Sequence, residues 1–135
     1  MVRRPSRIWI AGAVVVGLKG SGAALGAGEV ARGEVAFQKC YACHSVVRGE
    51  TGLAGPNLLG VVGRPVASIE GFDYSAALEA LPERGIERWD ETALDLFLES
   101  PDDVAPGTDM TFVGLRDPAE RADVIAYLLA QARPE

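Results

Sequence analysis

Side chains that bind metals are scarce in this sequence, which holds one histidine, two cysteines and two methionines among 135 residues, one methionine being the initiator. A structural zinc site draws on four Cys or His ligands, so this supply cannot complete one. Clusters of Lys and Arg of the kind that grip phosphates are also absent, which disfavours nucleic acid as a partner. No stretch alternates apolar and polar residues for long enough to suggest a sheet, and the body of the chain has no internal repeat or low-complexity tract. The apolar run Ile8 to Leu18 is too short to cross a bilayer.

What is present divides in two. Residues 1–27 carry Arg3, Arg4 and Arg7, then the apolar run, then small residues through Ala27, which is the order of a secretory signal. Tolerating Lys19 stretches a weakly apolar segment to Gly28, so an uncleaved membrane anchor is the alternative and a buried helix the plainest one. Residues 28–135 suit one small domain with one core, to which a large apolar cofactor would add much buried surface. The whole chain has a formal charge of −6; loss of the leader removes four of its 13 basic residues and none of its 19 acids, leaving −10.

The periodicity predicts an all-α domain of about four helices joined by long loops. The first runs from about Glu29 to Cys40, with Gly33, Ala36, Phe37 and the Cys40 thiol on one face. Between Gly49 and Gly63 there are too many glycines, with Pro56, for a regular element, and an ordered loop is expected. A short helix from Ser75 to Leu81 ends at Pro82 and Gly85, and a third from Asp90 to Glu99 has Asp90 as cap, an apolar face of Leu94, Phe97 and Leu98, and Pro101 as its stop. The last has the clearest start: Asp117 as cap, Pro118 at the first position and Glu120 as a capping-box partner. It runs to about Ala132, with Ala122, Ile125, Ala126 and Leu129 as its packing face.

Cys40-Tyr41-Ala42-Cys43-His44 has the spacing of a c-type haem attachment site. Two thiols three residues apart can add to the two vinyl groups of one haem, and the next residue sets an imidazole beneath the iron. A disulfide or a thioredoxin-like redox pair uses the same atoms, but the redox pair belongs in a βαβ setting that is not visible here. His44 is the only histidine, so a bis-histidine haem cannot be built within the chain. Met110, the only methionine besides the initiator, offers a thioether; core filling is its ordinary role.

From about Glu29 to Ala130 the sequence resembles class I cytochromes c, particularly the mitochondrial-like branch. The resemblance rests on Gly33 and Phe37 in the first helix, on Gly55-Pro56-Asn57-Leu58 after the cysteine motif, on Pro106-Gly107-Thr108-Asp109-Met110, and on Arg121 to Leu128 in the last helix. It implies a small cytochrome c fold wrapped around one haem c held by Cys40 and Cys43, with His44 and Met110 as iron ligands. A sulfur ligand raises the reduction potential relative to a second nitrogen. It also implies that the Pro56 carbonyl accepts a hydrogen bond from His44, and that Arg64, Tyr74, Trp89 and Thr108 hold the haem propionates or their surroundings. Gly33, Phe37 and Tyr127 correspond to the contact of first and last helices, and Leu58, Leu94, Leu98, Phe112 and Leu128 to pocket walls.

Two apolar residues depart from the family pattern inside the pocket: Phe97 stands where a tyrosine is common and Leu78 where asparagine is common. Asp102, Asp103 and Asp109 stand where mitochondrial relatives carry lysines, which inverts the docking surface and predicts basic or weakly charged redox partners. The expected function is that of an exported, monomeric, periplasmic one-electron carrier cycling between ferric and ferrous iron, not an enzyme. The N-terminus offers a membrane association. The alternatives are a haem peroxidase or gas-binding sensor in which Met110 leaves the iron, for which no distal histidine is available, and a haem-free disulfide or metal-binding module.

Overall fold

The computed structural model describes residues 29–132. The expected leader, residues 1–27, lies outside them. Five α-helices and one 3-10 turn follow in order: α1 (Val30–Phe37), α2 (Ala76–Glu79), the turn Pro82–Arg84, α3 (Glu91–Glu99), α4 (Pro101–Val104) and α5 (Pro118–Gln131). Among the described residues there is no strand, only an isolated bridge between Pro65 and Arg88, and no helix is long and apolar enough to cross a membrane. The expected all-α class holds, with one helix more than expected.

The caps explain most boundaries. Asp90 accepts from the Ala93 amide at 2.8 Å and starts α3, and Asp117 accepts from Ala119 at 3.0 Å and starts α5 with Pro118 at its first position. Pro101 ends α3 as expected, yet it also opens α4, because Ser100 turns extended (φ −157°, ψ 93°) and proline is preset for a first helical turn. Glu120 makes no capping box: its carboxylate pairs with Lys39 at the end of the first helical segment. α1 stops at Phe37, earlier than expected, and tighter turns continue to Cys43.

α1 and α5 cross at Gly33, where an added Cβ would stand 1.9 Å from the Asp123 carbonyl oxygen and 2.8 Å from Tyr127 Cβ. Only glycine permits that approach. Phe37 fills the crossing, with its ring 4.8 Å from Tyr41 and 5.2 Å from Tyr127 between centroids, and the two phenol oxygens hydrogen-bond at 2.9 Å. Asp123 holds the same crossing from the other side, accepting from the Glu29 amide at 2.6 Å and from Arg32 Nε at 2.7 Å. The buried face of α5 is wider than expected. Ile125 is buried, but Ala122, Ala126 and Leu129 are only half-buried, while Arg121, Asp123, Val124, Tyr127 and Leu128 are covered because α5 packs on both α1 and α3.

Candidate functional site

The turns after α1 deliver the cysteine cluster. The amides of Gln38, Lys39 and Cys40 bond to carbonyls three residues back, at 3.3, 3.3 and 2.8 Å, and those of Cys43 and His44 share the Cys40 carbonyl at 3.0 and 2.9 Å. The chain is thereby wound tighter than an α-helix, and both thiols and the imidazole come to line one cavity. Cys40 is half-buried and Cys43 exposed, and the two are not joined. Burial pushes the Cys40 thiol up to about 11, with Lys39 pulling it down more weakly.

His44 is 9% exposed. Its Nδ1–H donates to the Pro56 carbonyl at 2.7 Å, because a carbonyl can only accept. Burial lowers the pKa of the ring, and the Pro56 bond raises it by less. The imidazole is therefore neutral at neutral pH, with the Nε2 lone pair left free. Gly55 lies flat against the ring: a Cβ there would stand 2.4 Å from Cε1 and 2.6 Å from Nδ1. Its amide donates to the Cys43 carbonyl at 2.7 Å, and the Leu58 amide donates to Ser45 at 2.8 Å, which binds the 55–58 loop to the cysteine motif.

The cavity has a volume of about 470 Å³, within the roughly 300–1,000 Å³ usual for small-molecule and cofactor sites. Leu58, Leu94, Leu98, Phe112 and Leu128 line it, as expected, and so do Phe97 and Leu78. Met110 enters from the loop between α4 and α5, half-buried, with its amide donating to Thr108 Oγ1 at 3.3 Å. All nine residues expected at the site, Cys40, Cys43, His44, Pro56, Arg64, Tyr74, Trp89, Thr108 and Met110, border this one cavity.

The polar members are partly committed elsewhere. Arg64 donates to the carbonyls of Asn57 at 3.0 Å and Leu59 at 3.3 Å, and burial lowers its pKa, with the Tyr74 phenol opposing. A guanidinium has five donors, so others remain for an anion. Tyr74 accepts from the Ile69 amide at 3.3 Å and Thr108 from Met110, which leaves each hydroxyl proton free to donate. Trp89 is 8% exposed with its ring 4.9 Å from Phe97, so it is also core. Its backbone pairs with Arg64 and Gly63 at 2.9 and 2.7 Å.

These residues fit a haem. The walls match an apolar ring, the two thiols match its vinyl groups, the imidazole and thioether match iron, and Arg64 matches the acid side chains. Exposed Cys43, Lys39, Asp73, Asp109 and Thr111 mark the mouth. Sequence reasoning passed over Arg121 and Asp123, which are buried and charged. The available signal was spacing: Arg121, Ile125 and Leu128 share one helical stripe, so a charge was bound to be covered with its partners.

The family model for cytochrome c matches residues 30–132. The chain is 44% identical over 111 residues to cytochrome c2 of Rhodomicrobium vannielii, covering 82% of this chain and 86% of that one. It is 45% identical over 102 residues to cytochrome c-type cyt cy of Rhodobacter capsulatus, covering 75% of this chain and 48% of that one. Among solved structures, cytochrome cH from Methylobacterium extorquens superposes with a TM-score of 0.69 at 38% identity, over 76% of this chain and 99% of that one. With the haem-fitting cavity and the Cys40–Cys43 spacing, these matches establish that the chain belongs to the cytochrome c family, as a class I c-type cytochrome with one covalently bound haem c and the work of carrying electrons.

Proposed function

We propose that this cytochrome is an exported, monomeric, periplasmic carrier whose haem iron is held between His44 Nε2 and the Met110 sulfur. The observation that carries the reading is the 2.7 Å bond from His44 Nδ1–H to Pro56, which fixes the tautomer and aims the other nitrogen's lone pair for a metal. Bound haem supplies one-electron redox chemistry, and the thioether favours its ferrous state. Arg64, Tyr74 and Thr108 offer donors to the propionates, Trp89 packs beside them, and the leucine and phenylalanine walls keep water from the iron.

Export is supported by the order of charges, apolar run and small residues in 1–27; a retained segment would tether the domain to a membrane. For docking, Asp109 is exposed at the cavity mouth, Asp102 and Asp103 are exposed on α4, and Lys39, a cation at that mouth, is paired with Glu120. Basic or weakly charged redox partners fit this surface, and nucleic acid does not.

The test is the ferric absorption spectrum of the matured protein and its Met110→Ala variant. A weak sulfur-to-iron band in the parent that vanishes in the variant is expected. A parent without the band, or a variant that keeps it, would sink the ligation, and a peroxidase or gas sensor would then be the better description. For docking, exchange of electrons with a cationic metal complex should slow as salt is added. Acceleration by salt would refute the charge argument.

A further inference from the structure

The segment that carries Met110, residues 105–117, has no regular secondary structure, so its position depends on what pins its two ends. At its start the Thr108 amide donates to Ala105 at 2.9 Å and the Gly107 amide to Asp102 Oδ1 at 3.1 Å. At its far end the Leu115 amide donates to the Leu98 carbonyl at 2.7 Å. Gly114 there presses so close on α3 that a Cβ would stand 2.0 Å from the Glu99 carbonyl oxygen.

That far end converges on one buried side chain. Arg121, with its side chain 7% exposed, donates from Nη1 to the carbonyls of Leu115 at 2.9 Å and Arg116 at 3.2 Å. Its Nε and Nη2 fork onto the two carboxylate oxygens of Asp95 in α3, at 2.6 and 3.4 Å. Glu99 stands 3.9 Å away as a second acid. The guanidinium thus joins α5, α3 and the last turn of the Met110 loop, while lying outside the cavity lining.

We infer that Arg121 is a positioning residue for Met110: by clamping the carbonyls of Leu115 and Arg116 to Asp95, it holds the loop closed and the sulfur at the cavity wall. The inference rests on the proposed ligation of iron by Met110. Releasing the loop separates a guanidinium that is itself buried from two carbonyls, and hydrogen bonds made by a charged group are the costly kind to break. Lysine cannot replace the fork, since its compact ammonium lacks the planar geometry that serves a carboxylate and two carbonyls at once.

The experiment compares haem-loaded wild type, Arg121→Lys, Asp95→Asn and Met110→Ala, with Val124→Ala as a control that loosens the α5 core without touching the clamp. Imidazole, titrated into the ferric proteins, competes for the position that Met110 holds. Arg121→Lys and Asp95→Asn should bind imidazole about tenfold more tightly than wild type, as expected for one charge-assisted bond lost. Both should show a weakened sulfur-to-iron band and faster hydrogen exchange at the Leu115 amide, while Val124→Ala keeps wild-type imidazole affinity. Asp95 is partly exposed, so Asp95→Asn decides the matter alone if Arg121→Lys fails to fold.

Imidazole affinities within about twofold of wild type in the clamp variants, or matched by Val124→Ala, would overturn the inference. If Met110→Ala itself leaves imidazole affinity unchanged, the ligation falls, and the inference with it. If Met110→Ala frees the iron while the clamp variants do not, only the inference falls.

Discussion

Replacing Gly33 by alanine sets two effects of opposite sign against each other. In the middle of a helix the change ordinarily stabilises, by about 1 kcal/mol, because alanine orders more readily. Here the new methyl group would sit 1.9 Å from the Asp123 carbonyl oxygen and 2.6 Å from its carbon, whereas comfortable contact is about 3.5 Å. Both atoms are helix backbone, so neither can swing aside, and α1 must retreat from α5 by more than an ångström. That retreat opens the packing of Phe37 and Tyr127, which are 0% and 4% exposed. Overpacking of this kind costs about 3 kcal/mol, so the net loss should be about 2 kcal/mol. For a domain of this size, this corresponds to a fall in Tm of about 8–16 °C. Thermal unfolding of the haem-loaded protein, followed by circular dichroism, measures it, with Glu34→Ala on the exposed face as a control expected to change little. A Gly33→Ala protein that melted at or above wild type would refute the reasoning.

Gly55→Ala tests the imidazole's support: with a Cβ 2.4 Å from Cε1, the ring must tilt and strain its bond to Pro56, lowering stability by about 1–3 kcal/mol. An unchanged denaturant midpoint would count against it. Asp123 gives a pH prediction. The hydrogen bond from Arg32, then that from the Glu29 amide, holds its carboxyl below the ordinary carboxylate range. A depressed folded pKa contributes stability that is complete above the unfolded value of about 3.9 and is lost as pH falls through the folded value. The stability gap between wild type and Asp123→Asn should therefore be constant near neutrality and close below about pH 4. Denaturant unfolding across that range checks this, and a gap that stayed constant into acid would contradict it.

The local grammar of the chain was readable where one residue acts on its neighbours. Asp90 and Asp117 cap as their positions suggest, and the cavity gathers every residue expected of it. Contacts between distant residues were not readable. Glu120 has a good capping-box position, yet Lys39, far away in sequence, takes its carboxylate. Pro101 signals an ending equally well whether or not a new turn begins there. The widened face of α5 likewise depends on α5 having two helical neighbours, which no periodicity within one helix can report. The family resemblance picked out positions that border one cavity, but it was silent on Arg121, because a motif names which residues recur and not what each one grips.

The unequal burial of the two cysteines has a consequence for biogenesis. Thiols react as thiolates, and burial works against the thiolate at Cys40 while Cys43 stays open to solvent. In this fold the outer sulfur is the easier of the two to reach, and a pliable polypeptide would present both on more equal terms.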